Sequence, residues 1–434
     1  MNAKFAFPSL LLLILFSTQI TLAANESAAL LARKAVSENP TESSAAIEEL
    51  RAMGPAGLQT LLTQHADEIN RHIANPTTAT SAEWQRITKA LDQVGQQKNN
   101  YISGLYWYTD LEEAKRAARE SNKPILSLRL LGKLTDELSC ANSRYFRTVL
   151  YANAQLSPVI RHYVLHWESV RPAPVITIDF GDGRKLERTV TGNSIHYILD
   201  SNGQLIEALP GLYGPEAFQR GLTHGAILFD SLAGKTGADR RKVLIDYYRN
   251  RANNISLAWG GDTMKIGKTV PRKPMFYKDK NIDAISIGPI AITKMVLETT
   301  ALRSMTSASE ALGRVSDEDA WRQIAKLHDK DAKLDDRSLA LIKFQNPSLS
   351  NEELTAMVQK FEELVALDTV RNEYMLHPKL LLLMTDDSLR DNLDKFNDHV
   401  YATLFLTPKS DPWLGLVSPD VYTGIDKAGI SKNQ

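Results

Sequence analysis

The sequence predicts a multidomain α+β protein: a short N-terminal helical arm, a central α/β domain and a mainly helical C-terminal domain. Three observations predict it. Apolar residues recur at three-to-four spacing before residue 100 and again after residue 222. Between them, short apolar runs alternate with one charged helical pattern and with glycine-bearing turns. The composition, 43% hydrophobic and 24% charged over 434 residues, is that of an ordinary globular chain long enough for two or three domains.

The chain opens with "MNAKFAFPSLLLLILFSTQITLAANES". Lys4 precedes an apolar run from Leu10 to Phe16, and Thr21-Leu22-Ala23 supplies small residues for a peptidase. Residues 1–23 therefore read as a secretory signal with cleavage after Ala23. The run is short of the ~20 residues a membrane span needs. The expectation is an exported protein, periplasmic or secreted, with no integral membrane span after signal removal. Lys and Arg number 51 and so do Asp and Glu, so no field steers nucleic acid to the chain.

Residues 24–99 are expected to form the arm. "AAIEELRAMGPAGLQTLLTQH" places Ile47, Leu50, Met53, Leu58, Leu61 and Leu62 at helical spacing, and Gly54-Pro55 divides it into two helices. Residues 100–222 form the α/β domain. A helix start at Thr109 or Asp110 leads into a charged amphipathic helix, and "PILSLRLL" follows as a buried strand. "CANSRYFRTVLYANAQLSPVIRH" is helical with a break near Ala152–Asn153. "YVLHWESV", "VITIDF", "RKLERTVTG", "SIHYILD" and "QLIEALPG" are strands, with turns at Gly181-Asp182-Gly183 and Asn202-Gly203. "GPEAFQRGL" closes the domain. Residues 223–434 carry five helical patterns, among them "PIAITKMVLETTAL", and end in an irregular tail docked by Trp413, Leu416 and Val417.

The residue that draws attention is Cys140, the single cysteine, in "ELSCANSRYF". One thiol excludes an internal disulfide and a multi-thiolate zinc site. The stretch around it, roughly residues 111–222, resembles the thioredoxin-like superfamily, in particular its exported branch. "NKPILSLRL" is similar to that family's first central strand, Cys140 stands at the start of the next helix, and "IHYILDSNGQLIEALPGLYGPEAF" is similar to its final hairpin and last helix. The active-site motif C-x-x-C is reduced to Cys140-Ala141-Asn142-Ser143, so the resolving position is Ser143. The proline that in this family faces the thiol, usually in the cis form, is replaced by Ser194. A trans bond is expected there, because a cis bond without proline costs about 2.5–4 kcal/mol.

Cys140, Ser143 and Ser194 are thus the candidate thiol site. The resemblance, with its degenerate motif, implies a non-catalytic binding or assembly module in the cell envelope, whose partner is another envelope or secreted protein. The alternative is a monothiol thiol-disulfide oxidoreductase or thiol redox sensor acting through Cys140. A helix-start thiol gains thiolate character from the unpaired N–H groups there, with Arg144 and Arg147 nearby. No cofactor and no metal is expected.

Other patterns carry less. "WGGDTMKIGKT" (259–269) has five residues between Gly261 and Gly267 where a phosphate-binding loop has four, and Asp262 repels phosphate, so it reads as a polar surface loop. The nine histidines, His65/His72 and His162/His166 included, read as exposed polar residues. Tyr101, Tyr106, Trp107 and Tyr108 are expected to pack the arm against the α/β domain. "DDRS" and "MTDDS" read as helix starts.

Overall fold

The computed structural model describes residues 26–75, 78, 80–189, 192–268 and 318–414. The signal sequence, the helix expected over 289–302, and Leu416 and Val417 of the tail lie outside the described residues.

The arm is built of α1 (26–34), α2 (Pro40–Ala52), α3 (Pro55–Gln64), α4 (Ala66–Ala74), α5 (Ala82–Gly95) and the single turn α6 (Asn100–Ser103). Local chemistry sets its boundaries. Asn39 Oδ1 accepts from the Thr41 and Glu42 amides ahead of α2, with Pro40 at the first helical position. Gly54, at φ 67°, turns the chain into Pro55. Helices α2 and α3 then cross so closely that a Cβ on Gly57 would lie 1.9 Å from the Leu50 carbonyl oxygen. Leu50, Leu58, Leu61, Trp84, Ile87 and Leu91 fill a core of the arm's own. Met53, expected in that row, is 40% exposed.

The central region contains β1 (Trp107–Tyr108), α7 (Leu111–Ser121), β2 (Ile125–Leu131), α8 (Ala141–Tyr145), α9 (Leu156–Ile160), β3 (Val164–Arg171), β4 (Val175–Asp179), β5 (Lys185–Thr189), β6 (Ser194–Leu199), β7 (Leu205–Pro210) and α10 (Pro215–Ser231). Asp110 caps α7 by accepting from the Glu113 amide. Five strands form one mixed sheet in the order β1-β3-β2-β6-β7. β1, β3 and β2 run parallel, and β6 and β7 antiparallel. β2 is buried at every residue, as befits a central strand whose apolar residues are interrupted only by Ser127 and Arg129. β4 and β5 do not join this sheet. They pair only with each other, as a ribbon inserted between β3 and β6.

After α10 come α11 (Gly237–Lys265), α12 (Glu318–Leu327), a 3₁₀ turn (Asp329–Ala332), α13 (Asp336–Gln345), α14 (Asn351–Arg371), α15 (His377–Leu383), α16 (Asp387–Arg390) and α17 (Leu393–Thr403). Asp335 and Asp386, from "DDRS" and "MTDDS", cap α13 and α16. Residues 259–265 correct the surface-loop expectation. They are the last two turns of the 29-residue α11, and Asp262 is buried there. The paired glycines that read as a loop end a long helix whose earlier turns already fix its course. One continuous core runs from Leu105 to Phe405, with Tyr197 and Ile198 of β6 in the same cluster as Phe396 and Val400 of α17. The overall architecture is therefore mixed α and β, helix-rich around a five-stranded mixed sheet.

The aromatic group at 101–108 joins the arm to the sheet. The Arg51 guanidinium lies 4.1 Å above the Tyr106 ring and donates to the Val94 and Trp107 carbonyls. The Tyr106 hydroxyl donates back to the Arg51 carbonyl, and Trp107 Nε1 donates to Gln97 Oε1.

Candidate functional site

Cys140 occupies the residue just before α8, with φ −59° and ψ 157°. Its amide donates to the Leu131 carbonyl at the end of β2, and its own carbonyl accepts from the Arg144 amide. This is the strand-to-helix junction expected from the sequence. The thiol, however, is 0% exposed. A thiolate acts by reaching a partner's sulfur, and no partner reaches a group closed off from the surface on every side.

Cys140 belongs to the central core, and loop 132–139, "GKLTDELS", leads directly into it. Arg147, itself 1% exposed, holds the loop down: the guanidinium donates to the Asp136 carbonyl at 2.5 Å and the Glu137 carbonyl at 3.1 Å. Burial lowers the Arg147 pKa from its usual value, with the Glu137 carboxylate partly offsetting that. Arg147, expected to support a thiolate, stands within electrostatic reach of Cys140 and directs its hydrogen bonds to the loop. Arg144 lies on the outer side of α8, in the wall of a cleft.

Ser143 and Ser194 fall in the same neighbourhood. The Ser143 hydroxyl donates to the Cys140 carbonyl at 3.1 Å and lies 2.5 Å from the Ser139 hydroxyl. It is a helix-start hydrogen-bonding group. Ser194 opens β6 opposite Leu130, and its Oγ accepts from Asn142 Nδ2 at 2.8 Å. Among the described residues every peptide bond is trans, including the one before Ser194. Two phenols stand within electrostatic reach of Cys140, those of Tyr151 and Tyr401, and burial pushes both well above the usual tyrosine range. Tyr151 meets His196 Nε2 at 2.7 Å, and burial brings His196 down to about 3, so this imidazole is neutral. The arrangement has the composition of a packed core with every named hydroxyl engaged.

Beside it opens a cleft of about 470 Å³. Ala141, Arg144 and Tyr145 of α8 form one wall, and Met357, Val358 and Phe361 of α14 the other. Comparison with protein-family models, with curated proteins and with solved structures finds no match to this chain.

The histidines correct a second expectation. His72, His166, His196 and His377 are all buried. His72 stacks on Trp84 with ring centroids 3.8 Å apart, and His166 Nδ1 lies 2.9 Å from the Ser127 hydroxyl. His377 sits between two carboxylates, with Nε2 3.2 Å from Glu207 and Nδ1 3.1 Å from Glu373. Burial opposes its charge, but Glu373 and Glu207 outweigh that and push it up to about 9. Glu373 falls to about 2: burial opposes this, and His377 with Arg251 overcomes it. The Tyr247 hydroxyl closes the group by donating to Glu207.

A second cluster joins α11 to the 3₁₀ turn. Asp262 Oδ2 accepts from the Tyr374 hydroxyl and pairs with His328 Nε2, both at 2.6 Å. Arg220 forks onto Asp331 at 2.6 and 2.7 Å, and the hydrogen bond to Asp331 raises the His328 pKa, with burial opposing it. Among the described residues, no group of three or more His, Cys, Asp or Glu stands where it would hold a metal ion, and no helix is long and apolar enough to cross a membrane.

Sequence reasoning missed both clusters and the cleft. Their partners are 66 (Asp262 and His328) and 170 residues apart (Glu207 and His377), and no local spacing encodes such pairings.

Proposed function

We propose that the chain is an exported, thioredoxin-like association module of the cell envelope whose thiol site is closed and structural, and that it works by binding another envelope or secreted protein. The observation that carries this reading is the complete burial of Cys140 in the central core, next to a loop fastened by Arg147. The fold assignment is supported by the parallel β2-α-β3 half followed by the antiparallel β6-β7 hairpin and α10, with the cysteine between β2 and α8. The export assignment is supported by the amino-terminal sequence alone.

The experiment is alkylation of the folded full chain as a function of pH, paired with in-cell crosslinking of wild type and Cys140→Ser in the native host. Slow alkylation and recovery of the same partner by both forms support the module. Fast alkylation titrating below pH 7, or loss of the partner in Cys140→Ser, returns the monothiol redox reading.

A further inference from the structure

The segment that follows α17, residues 404–411, has no helix or strand of its own; Leu404 and Phe405 are buried in the central core, and the chain is held at two points beyond them and a third upstream. At the first, Arg171 closes β3 and donates from its two terminal nitrogens to the carbonyls of Thr407 and Asp411, each at 2.9 Å. At the second, Asn193 Nδ2 donates to Thr407 Oγ1 at 2.9 Å. The third is Tyr401, just upstream, whose hydroxyl lies 3.2 Å from the Asn193 carbonyl and 3.4 Å from that of Arg129.

Arg171 has a second duty. Its carbonyl accepts from the amide of Gly132, the first residue of the loop that leads into Cys140. The loop and the 404–411 segment are therefore fastened to one residue, the loop through its main chain and the segment through its guanidinium. The segment is also strained. Leu406 has φ 51°, in the left-handed region where a leucine Cβ crowds its own carbonyl. Such a conformation persists only while its surroundings impose it, and release returns the free energy stored in it.

We infer that residues 406–411, beyond the core residues Leu404 and Phe405, are a strap that opens as a unit from Arg171, ahead of global unfolding, and loosens loop 132–139 when it does. The closed strap is a contact the chain makes with itself over the Cys140 end of the sheet. Its opening is the step that changes what that end presents to solvent. This goes beyond the association reading and does not rest on it: exchange rates test the strap, and partner recovery by Cys140→Ser tests the module.

The test is amide hydrogen exchange on the full chain across low denaturant concentrations, following peptides from 400–411, 132–140 and β2. The Thr407 amide, bonded to the Tyr401 carbonyl, reports the strap, and Gly132 reports the loop. Local opening gives strap and loop exchange nearly independent of denaturant, while β2 follows the global transition. Arg171→Ala raises strap and loop exchange at least tenfold with β2 changed less, and Cys140 alkylation rises with them. The inference is overturned if strap and loop exchange only with the denaturant slope of β2, or if Arg171→Ala moves all three peptides by one common factor or none. Should Arg171→Ala fail to fold, the wild-type slopes decide, and Asn193→Ala repeats the comparison at a second anchor.

Discussion

Asn142 Nδ2 donates to Ser194 Oγ across 2.8 Å in a fully enclosed place, tying the first turn of α8 to the first residue of β6. Removing one side of such a bond leaves the other side buried and unsatisfied, which costs more than the bond contributes. Ser194→Ala is expected to lower stability by about 1–3 kcal/mol in denaturant unfolding. A double-mutant cycle with Asn142→Ala should give a coupling well above zero, and independent losses would show that the bond does not form.

Arg147 makes a prediction about the loop. Arg147→Ala strips the hydrogen bonds from two loop carbonyls, so Cys140 alkylation in native conditions should accelerate by an order of magnitude or more. Arg147→Lys should recover little of that protection, because a single ammonium does not reproduce a fork that serves two acceptors. Thiol-reagent kinetics at constant pH reads both.

His377 makes a prediction about pH. Its folded pKa of about 9 stands above the ordinary histidine value of 6.5. Its stabilising contribution is therefore complete below pH 6.5 and is lost as pH rises through 9. Glu373, lowered from 4.5 to about 2, contributes above pH 4.5 and loses that contribution as pH falls through 2. Stability should peak between these limbs, and the alkaline limb should be on the order of 3 kcal/mol at most. His377→Ala should remove the alkaline limb and cost about 3–5 kcal/mol at neutral pH, since it leaves two carboxylates without their shared cation. Denaturant titrations at stepped pH would expose a flat wild-type profile if the assignment is mistaken.

Gly57 tests the arm. A methyl group there meets main-chain oxygen of Leu50 at 1.9 Å, and backbone cannot step aside as a side chain does. Gly57→Ala should destabilise the arm by about 1–3 kcal/mol. Loss of the near-ultraviolet signal of Trp84, stacked on His72 in that core, should precede loss of the sheet's signal.

The sequence made some of these elements legible and hid others, for physical reasons. β2, β6 and β7 are buried throughout, so short, mostly apolar runs announce them. Asp110, Asp335 and Asp386 announce helix starts because capping is a local act. β1 is two residues long, too short for any period to register. The end of α11 was masked by Gly260-Gly261, whose weak helical preference is overruled by packing of Trp259 against Trp321 at 5.6 Å. At the candidate site, the place of Cys140 between a strand and the helix after it was readable from the adjoining segments. Its burial was not readable, because the loop that leads into Cys140 is fixed by where the Arg147 guanidinium points and by an anchor on Arg171, two facts about direction that composition does not carry.

The pairing of Asp262 with His328 has a consequence for chain continuity. The two residues sit on either side of positions 269–317, on α11 and just beyond α12, and Trp259 stacked on Trp321 reinforces them. The helices that bracket that stretch thus hold each other through their own side chains. A single proteolytic nick within 269–317 should leave two fragments that co-migrate under native conditions and separate in denaturant. Expressed as two separate pieces, they should find each other and complement.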